Sequence, residues 1–404
     1  MKILCPFCLE KFSNGKAKLM CNNSTHKCQL KATKEFTDYW GMSMSDPAAQ
    51  RPHIYDGGFN LLGAAKPKNC PVCGDDRPDY VCPHCHNALP REMVLYGTDI
   101  IPIIGGPGVG KTCYMVTLID QLNKFGWRLN LTSSLQSLYG DAASSYREMY
   151  NQLFNDKQVL DKTPTRNEGY NAPWFIKIDN RVKSRKSRPT YLIFYDIAGE
   201  QFEDAAIMHR QARPLQFASG AIVLLDTLNL TPVAKVRKQS GITDTEHFSI
   251  RNTVEALFEL SGEKQVLQNS PIAFAFSKVD VIDQFRGSLG QFGQAIDLQQ
   301  NSLFTQSRYA RPGSFTEQEF NQFLSECDQI REDFQIALAE CEMDQLMHNN
   351  DWKESNMGYF GISALGKEPE HSGMIDSETI TPYRVLDPLI WILHKLGKID
   401  IPKK

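Results

Sequence analysis

The sequence has no stretch that a bilayer would hold. Its longest apolar runs, such as AIVLL at residues 221–225, are strand-sized and far short of the roughly 18 residues a spanning helix needs. A basic segment followed by an apolar one is also missing from the N-terminus, so no signal peptide is expected and the simplest location is the cytoplasm, without a membrane partner. Charge of one sign is missing as well: a net charge of -3 argues against a general nucleic-acid coat and leaves only local basic patches open. Cysteine is scarce beyond residue 86, where Cys113, Cys327 and Cys341 stand alone. A second phosphate-binding loop is absent. What remains is a chain of 404 residues with 41% apolar content, enough for two or three domains around a real core.

The other eight cysteines crowd into the first 85 residues, and in a reducing compartment such clustering points to metal before disulfides. Cys5-Pro-Phe-Cys8 is followed by Cys21 and Cys28, and Cys70-Pro-Val-Cys73 by Cys82-Pro-His-Cys85. Two residues between cysteines let both sulfurs of a tight turn reach one ion, and Zn²⁺ takes four such ligands in a tetrahedron. Two Zn²⁺ per chain are expected. Sequential sites, Cys5/Cys8/Cys21/Cys28 and Cys70/Cys73/Cys82/Cys85, need the shortest loops. A cross-braced pairing is the alternative, and His26 competes with Cys28 as a ligand. His84 and His86 are expected to be bystanders. Residues 1–92 thus read as a zinc-binding module with two four-cysteine sites, folded largely by its metal or serving as a docking surface.

From Met93 the texture changes. MVLYGTDIIPIIGG leads into Gly105-Gly-Pro-Gly-Val-Gly-Lys-Thr112, the G-x-x-x-x-G-K-[ST] pattern between a strand and a helix. The backbone of Gly105, Gly108, Val109, Gly110, Lys111, Thr112 and Cys113 is expected to cradle phosphate at a helix N-terminus. Lys111 should reach the β- and γ-phosphates and Thr112 should bind Mg²⁺. RPTYLIFYDIAGEQF ends an apolar strand at Asp196, with Gly199 three residues on; Asp196 would hold Mg²⁺ through water and the Gly199 N–H would meet the γ-phosphate. PIAFAFSKVD ends a buried strand in Ser277, Lys278 and Asp280. A carboxylate there accepts from two N–H groups of guanine, a pair adenine lacks, while Lys278 lies along the base. YFGISALG ends another strand at Ser363 and Ala364, whose backbone would meet the guanine O6. In this order the motifs point to GTP and GDP.

GGPGVGKT, DIAGE, SKVD and ISAL resemble the phosphate, magnesium and guanine motifs of TRAFAC-type GTPases, over residues 93–404; SKVD departs from the usual N/T-K-x-D at its first letter. With the cysteine knuckles in front and YRVLDPLIWILHKLG at the end, the chain is similar to the bacterial double-GTPase proteins. The resemblance implies an α/β fold, a mostly parallel sheet with helices on both faces, and GTP hydrolysis. It implies a switch I threonine on Mg²⁺, Thr165 or Thr163, within DKTPTRNEGYNAP, where Arg166 would approach phosphate or remain a solvated loop charge. It also places Glu200, rather than a glutamine, at the water-orienting position, so intrinsic turnover should be slow and partner-stimulated. Other proteins of a bacterial conflict or antiphage system, including a second GTPase, are the implied partners.

LQSLYGDAASSYREMYNQLFNDKQVL reads as helix, and WFIKIDNRV and TYLIFYD as strands joined by the basic KSRKSRP. Residues 284–350 read as a polar helical insertion, either a partner-binding element or a decorative hairpin. LDPLIWILHKL should pack back onto the sheet. Two rivals to the switch are a nucleotide-stabilised scaffold and a nucleic-acid sensor working through the cysteine knuckles and the basic hairpin.

Overall fold

The structure is a computed structural model. It describes residues 2–22, 28, 30–59, 65–106, 108–136, 142–160, 174–180, 190–194, 217–241, 269–290, 293–294, 313–340, 353–370, 372–375 and 380–399.

The cysteine module is built from very short strands. β1 (Lys2–Leu4) and β2 (Lys11–Ser13) form a hairpin. β3 (Lys18–Met20), β4 (Ile54–Asp56), β7 (Asp79–Val81) and β8 (Ala88–Leu89) make an antiparallel sheet in the order β4-β3-β7-β8. Helix α1 (Lys34–Trp40) and the small β5–β6 pair (Gly58–Phe59, Ala65–Lys66) complete it. Three CPxC turns share one geometry. Cys5, Cys70 and Cys82 donate their N–H to the carbonyls of Glu10, Asp75 and Asn87, and accept at their own carbonyls from Leu9, Gly74 and His86. Those last three residues carry φ of 60°, 77° and 51°, the left-handed turn that folds a knuckle back on itself.

After α2 (Arg91–Tyr96) comes the main sheet. Its described strands are β9 (Asp99–Gly105), β10 (Leu131–Gln136), β11 (Trp174–Asn180), β12 (Thr190–Phe194), β13 (Ala221–Asp226), β14 (Ile272–Ser277) and β15 (Met357–Gly361), in the order β10-β11-β12-β9-β13-β14-β15. β10 and β11 run antiparallel to their neighbours, and the other five strands are parallel. The mixed α/β class and mostly parallel sheet are as the sequence led one to expect. β13 and β14 read AIVLLD and IAFAFS and are buried along their whole length, as parallel strands covered on both faces must be. The run 135–160 is less uniform than its pattern suggests. Leu135 and Gln136 belong to edge strand β10, α4 covers Ala142–Tyr150, and a π-helical turn follows at Asn151–Asn155.

Parallel strands need crossovers, and α7 (Glu317–Glu340) supplies the one between β14 and β15. Its Phe320, Phe323, Cys327, Ile330 and Phe334 recur every three or four residues and are buried. Phe334 stacks on Phe276 and Tyr359 at 5.0 and 6.5 Å. The described part of the 284–350 region is therefore sheet cover. α8 (Asp387–Lys395) packs back on the other face through Leu389, Ile392 and Trp391, the last 6.0 Å from Phe360. Ahead of both in the chain come α5 (Thr231–Gln239) and the single turn α6 (Val279–Ile282). Side chains alternate across the pleat, so α3 (Lys111–Phe125) shares the α8 face with Ile101 and Ile176, while the α7 face carries Ile100, Phe175, Tyr191 and Ile193 at the other end of the sheet.

That second patch is covered by the cysteine module. Ile3, Phe7, Phe12, Tyr80, Leu89, Met93 and Val94 form one buried cluster with it. Phe7, the residue inside the first CPxC knuckle, lies 5.3 Å from Phe175 and is 5% exposed. Lys177 of β11 meets Glu92 of α2 at 3.5 Å. The module thus stands where another helix would otherwise cover the sheet.

Candidate nucleotide site and cysteine centres

The four strands β9, β13, β14 and β15 are parallel, so their C-terminal ends open along one edge, the edge at which α/β sheets place ligands. Gly105 ends β9 and begins the glycine-rich turn. A Cβ there would lie 2.8 Å from the Leu224 carbonyl oxygen and 2.9 Å from Val109, so only glycine allows the loop to leave the sheet at this point. Gly108 and Gly110 carry φ of 64° and 85° with open space around them; what they supply is the left-handed backbone, which other residues adopt only at a cost. The turn ends at α3, whose N-cap is Gly110. Lys111 is 8% exposed and its Nζ donates to the carbonyls of Gly105 and Gly106 at 3.0 and 2.9 Å. The ammonium is thereby held inside the loop. Val109 and Cys113 are buried beneath it, and burial pushes the Cys113 thiol pKa up, against a smaller opposing pull from Lys278. Thr112 is half-buried on the first turn.

The base-side residues come together around the same helix. Ser277 ends β14 and its Oγ donates to the Leu225 carbonyl at 3.1 Å. Lys278 has φ 62°, which turns the chain sharply into α6 and brings Asp280 to the sheet edge. Ser363 follows β15 and is 1% exposed, and its Oγ accepts from the Gly366 N–H at 2.7 Å. Thr117, in the second turn of α3, donates to the Ala364 carbonyl at 3.4 Å. Burial raises the Asp280 pKa, and Glu368 adds to the rise, while the Ser363 hydrogen bond and Lys278 oppose it. The result is a glycine loop at a helix N-terminus, with a half-buried carboxylate, a lysine and a serine-alanine turn at the same sheet edge. A glycine loop at a helix N-terminus is suited to an anion.

Asp226, at the end of β13, is a residue the motif reading passes over. Its Oδ2 accepts from Lys278 Nζ at 2.6 Å. The only trace of it in the sequence is a lone carboxylate closing AIVLLD. Thr163, Thr165, Arg166, Asp196, Gly199, Glu200, His26 and the basic segment 181–189 lie outside the described residues.

Eight cysteines gather into two groups of four, Cys5/Cys8/Cys82/Cys85 and Cys21/Cys28/Cys70/Cys73, with the sulfurs of each group within 4.8 Å of one another. This is the cross-braced pairing, and it replaces the sequential one. The reason is the antiparallel β3–β7 pair, where Lys18 lies opposite Val81 and Met20 opposite Asp79. Cys21 leaves β3 at the end where the chain from Cys73 enters β7. Cys82 leaves β7 at the opposite end, beside the β1–β2 hairpin. Three strand residues, about 10 Å, therefore separate the 70–73 knuckle from the 82–85 knuckle. Neighbouring sulfurs are 3.4–3.8 Å apart. A disulfide would need about 2.05 Å, whereas four Zn–S bonds of about 2.3 Å in a tetrahedron place sulfurs about 3.8 Å apart. The donor sets fit two closed zinc sites. His84 is exposed, and His86 turns its Nδ1 to Thr33 Oγ1 at 2.9 Å, so neither histidine joins them. Cys28 is the fourth cysteine of its group.

Among the described residues no helix is long and apolar enough to cross a membrane. The chain is 22% identical over 332 residues to a protein of Mycolicibacterium smegmatis named as a candidate ESX-1 scaffolding and assembly protein, SaeC, covering 78% of this chain and 80% of that one. Among solved structures it is similar to the S. cerevisiae Ski7 GTPase-like domain bound to GDP and inorganic phosphate (12% identity, TM-score 0.33) and to the same domain bound to GTP (13%, 0.35). Each match covers 75% of this chain and 51% of the yeast chain, so the protein spans about half the length of those chains. The family model for Double-GTPase 2 matches residues 99–329, from the first residue of β9 into α7, and the chain belongs to the Double-GTPase 2 family.

Proposed function

We propose that the protein is a GTP-binding switch that hydrolyses GTP slowly by itself and faster with a protein partner. The observation that carries this is the hydrogen bond from Thr117 to the Ala364 carbonyl, which sets the turn after β15 against the helix that starts at Lys111. The residues expected to meet phosphate and base thus lie on neighbouring elements at one sheet edge, which supports a purine nucleoside triphosphate as ligand. Asp280 selects guanine by accepting from its two N–H groups. Lys111 and the N-terminus of α3 take the β- and γ-phosphates, and Thr112 with Asp196 would hold Mg²⁺, which neutralises charge on the β- and γ-oxygens. Glu200 follows the D-x-x-G glycine, and a carboxylate there brings negative charge towards the γ-phosphate. At about 5 Å and an effective dielectric of about 20 that repulsion is about 3 kcal/mol, so unassisted turnover is on the order of 10⁻³ s⁻¹ or below. The partner belongs to the same multi-protein bacterial system, one of conflict or antiphage defence.

The similarity to SaeC favours a second reading, a scaffold in which nucleotide only stabilises the fold. One experiment separates the two: GTP and ATP affinities of the purified protein, then single-turnover GTP hydrolysis with and without the proteins that copurify from its native cell. Guanine preference with partner-raised turnover supports the switch. Tight GTP with no turnover under any condition supports the scaffold, and equal affinity for ATP and GTP removes the guanine assignment.

A further inference from the structure

At the sheet edge, the ends of β13 and β14 are tied together three times. Ser277 Oγ donates to the Leu225 carbonyl at 3.1 Å, Thr227 Oγ1 donates to the Ser277 carbonyl, and Lys278 Nζ donates to Asp226 Oδ2 at 2.6 Å. The first two ties serve the backbone. The third fixes a side chain, and it fixes one of the residues expected to lie along the base. Asp226 is suited to this. Its side chain is 11% exposed, and its other oxygen, Oδ1, accepts from the Leu228 N–H at 3.0 Å, so the carboxylate cannot rotate without losing a bond. The Lys278 side chain stays one-third exposed and close enough to Cys113, on the first turn of α3, for its charge to act there. One side of the ammonium is thus held by Asp226, and the side chain keeps an exposed part at the same end of the sheet.

We infer that Asp226 is a positioning residue for base recognition: it holds Lys278 at the base end of the site and away from the phosphate loop. The inference rests on the guanine-nucleotide reading above. A lysine has a flexible four-carbon stem and is a compact, strongly attracted charge. Left alone beside a phosphate cradle, it would be drawn to the phosphates, where Lys111 already stands. Held by Asp226 before ligand arrives, it meets the base without first having to be ordered, and preorganisation of that kind appears as affinity. The contact would act on every guanine nucleotide alike, because it lies on the base side and not at the γ-phosphate.

An ion pair that merely staples two strand ends would behave differently, and substitutions in the full-length protein separate the cases. Asp226→Asn keeps an oxygen for the Leu228 N–H but removes the charge that holds Lys278. Asp226→Glu keeps the charge at a changed reach. Affinities for GDP, GTP and ATP are measured by calorimetry for the wild type, both variants, Lys278→Ala and the double variant Asp226→Asn/Lys278→Ala, alongside melting temperatures without nucleotide. The expected result is an about tenfold loss for GDP and GTP alike in Asp226→Asn, on the order of one lost charge-assisted bond. ATP affinity is unchanged, Asp226→Glu recovers part of the loss, and Asp226→Asn has no further effect once Lys278 is alanine. Unchanged or tighter guanine-nucleotide binding in Asp226→Asn, or the same loss in the Lys278→Ala background, overturns the inference. If Asp226→Asn does not fold, a guanine-nucleotide loss in Lys278→Ala that a folded Asp226→Glu shares only in part still supports it, and wild-type affinity in Lys278→Ala or an equal loss in Asp226→Glu overturns it. Equal GTP and ATP affinity in the wild type is a separate failure, that of the guanine reading itself.

Discussion

At the residue scale, the proposed guanine reading makes Asp280 the position on which nucleotide choice turns. Its carboxylate offers acceptors to two N–H groups of guanine, and Asp280→Asn turns one of those acceptors into a donor. Loss of a charge-assisted pair costs about 1.5–3 kcal/mol, about ten- to hundredfold in affinity. Binding assays on this variant should show weaker GTP and improved xanthosine triphosphate, whose base presents the complementary acceptor. The same carboxylate gives a pH dependence. Burial holds the Asp280 pKa above the ordinary carboxylate value, with Glu368 adding to it. On that reading guanine binding needs the ionised form, so affinity should be complete above the raised pKa and fall as pH drops through it, at higher pH than an unperturbed aspartate near 3.9 would give. A GDP affinity flat down to pH 4 would contradict this. For stability the sign is the reverse of the salt-bridged case. Ionising a carboxyl whose folded pKa is raised costs stability above the ordinary pKa, and that cost disappears as the group protonates.

At the scale of elements, the contact of Phe7 with Phe175 joins the first cysteine knuckle to the second strand of the main sheet. A buried phenylalanine cut to alanine costs about 3–5 kcal/mol, and here the loss falls on the surface holding the module to β11 and β12. Phe7→Ala should turn one melting transition into two, the module first, as followed by calorimetry. A single transition at the wild-type temperature would show that Phe7 carries no such coupling. This element was only half visible beforehand. CPFC announces a knuckle, but nothing in the sequence says that its phenylalanine points at a strand 168 positions away. The same holds elsewhere. GGPGVGKT, SKVD and ISAL could be placed on strand ends because each follows an apolar run, a local signal. β10 was hidden because LTSSLQ is an edge strand with polar positions, and its neighbouring residues carry a helical period. α7 looked polar for an element of the core because one face of it meets solvent; the buried face, Phe320, Phe323, Cys327, Ile330 and Phe334, is the sheet cover. Asp226 could not be singled out, since its role depends on pairing β13 with β14.

At the scale of the whole molecule, the cross-brace changes what a single cysteine substitution does. Cys28 and Cys70 belong to one group, so Cys28→Ser and Cys70→Ser should each lose the same ion and leave the other. Elemental analysis should find two zinc per chain in the wild type, one in either variant, and one again in the double variant. Loss of both ions in Cys28→Ser/Cys70→Ser alone, as separate sites would give, contradicts the pairing. Because β3 and β7 run between the two groups, removal of either ion by a chelator should also loosen the face that covers Ile100, Tyr191 and Ile193. The brace also bears on how the chain is made. Eighty residues separate Cys5 from Cys85, so at about 5–20 residues per second the first thiols wait about 4–16 s for their partners, where a site closed at Cys28 would wait about 1–5 s. For that interval they remain reactive on a nascent chain, and whatever guards them from oxidation or a wrong metal must act before the glycine-rich loop has been synthesised.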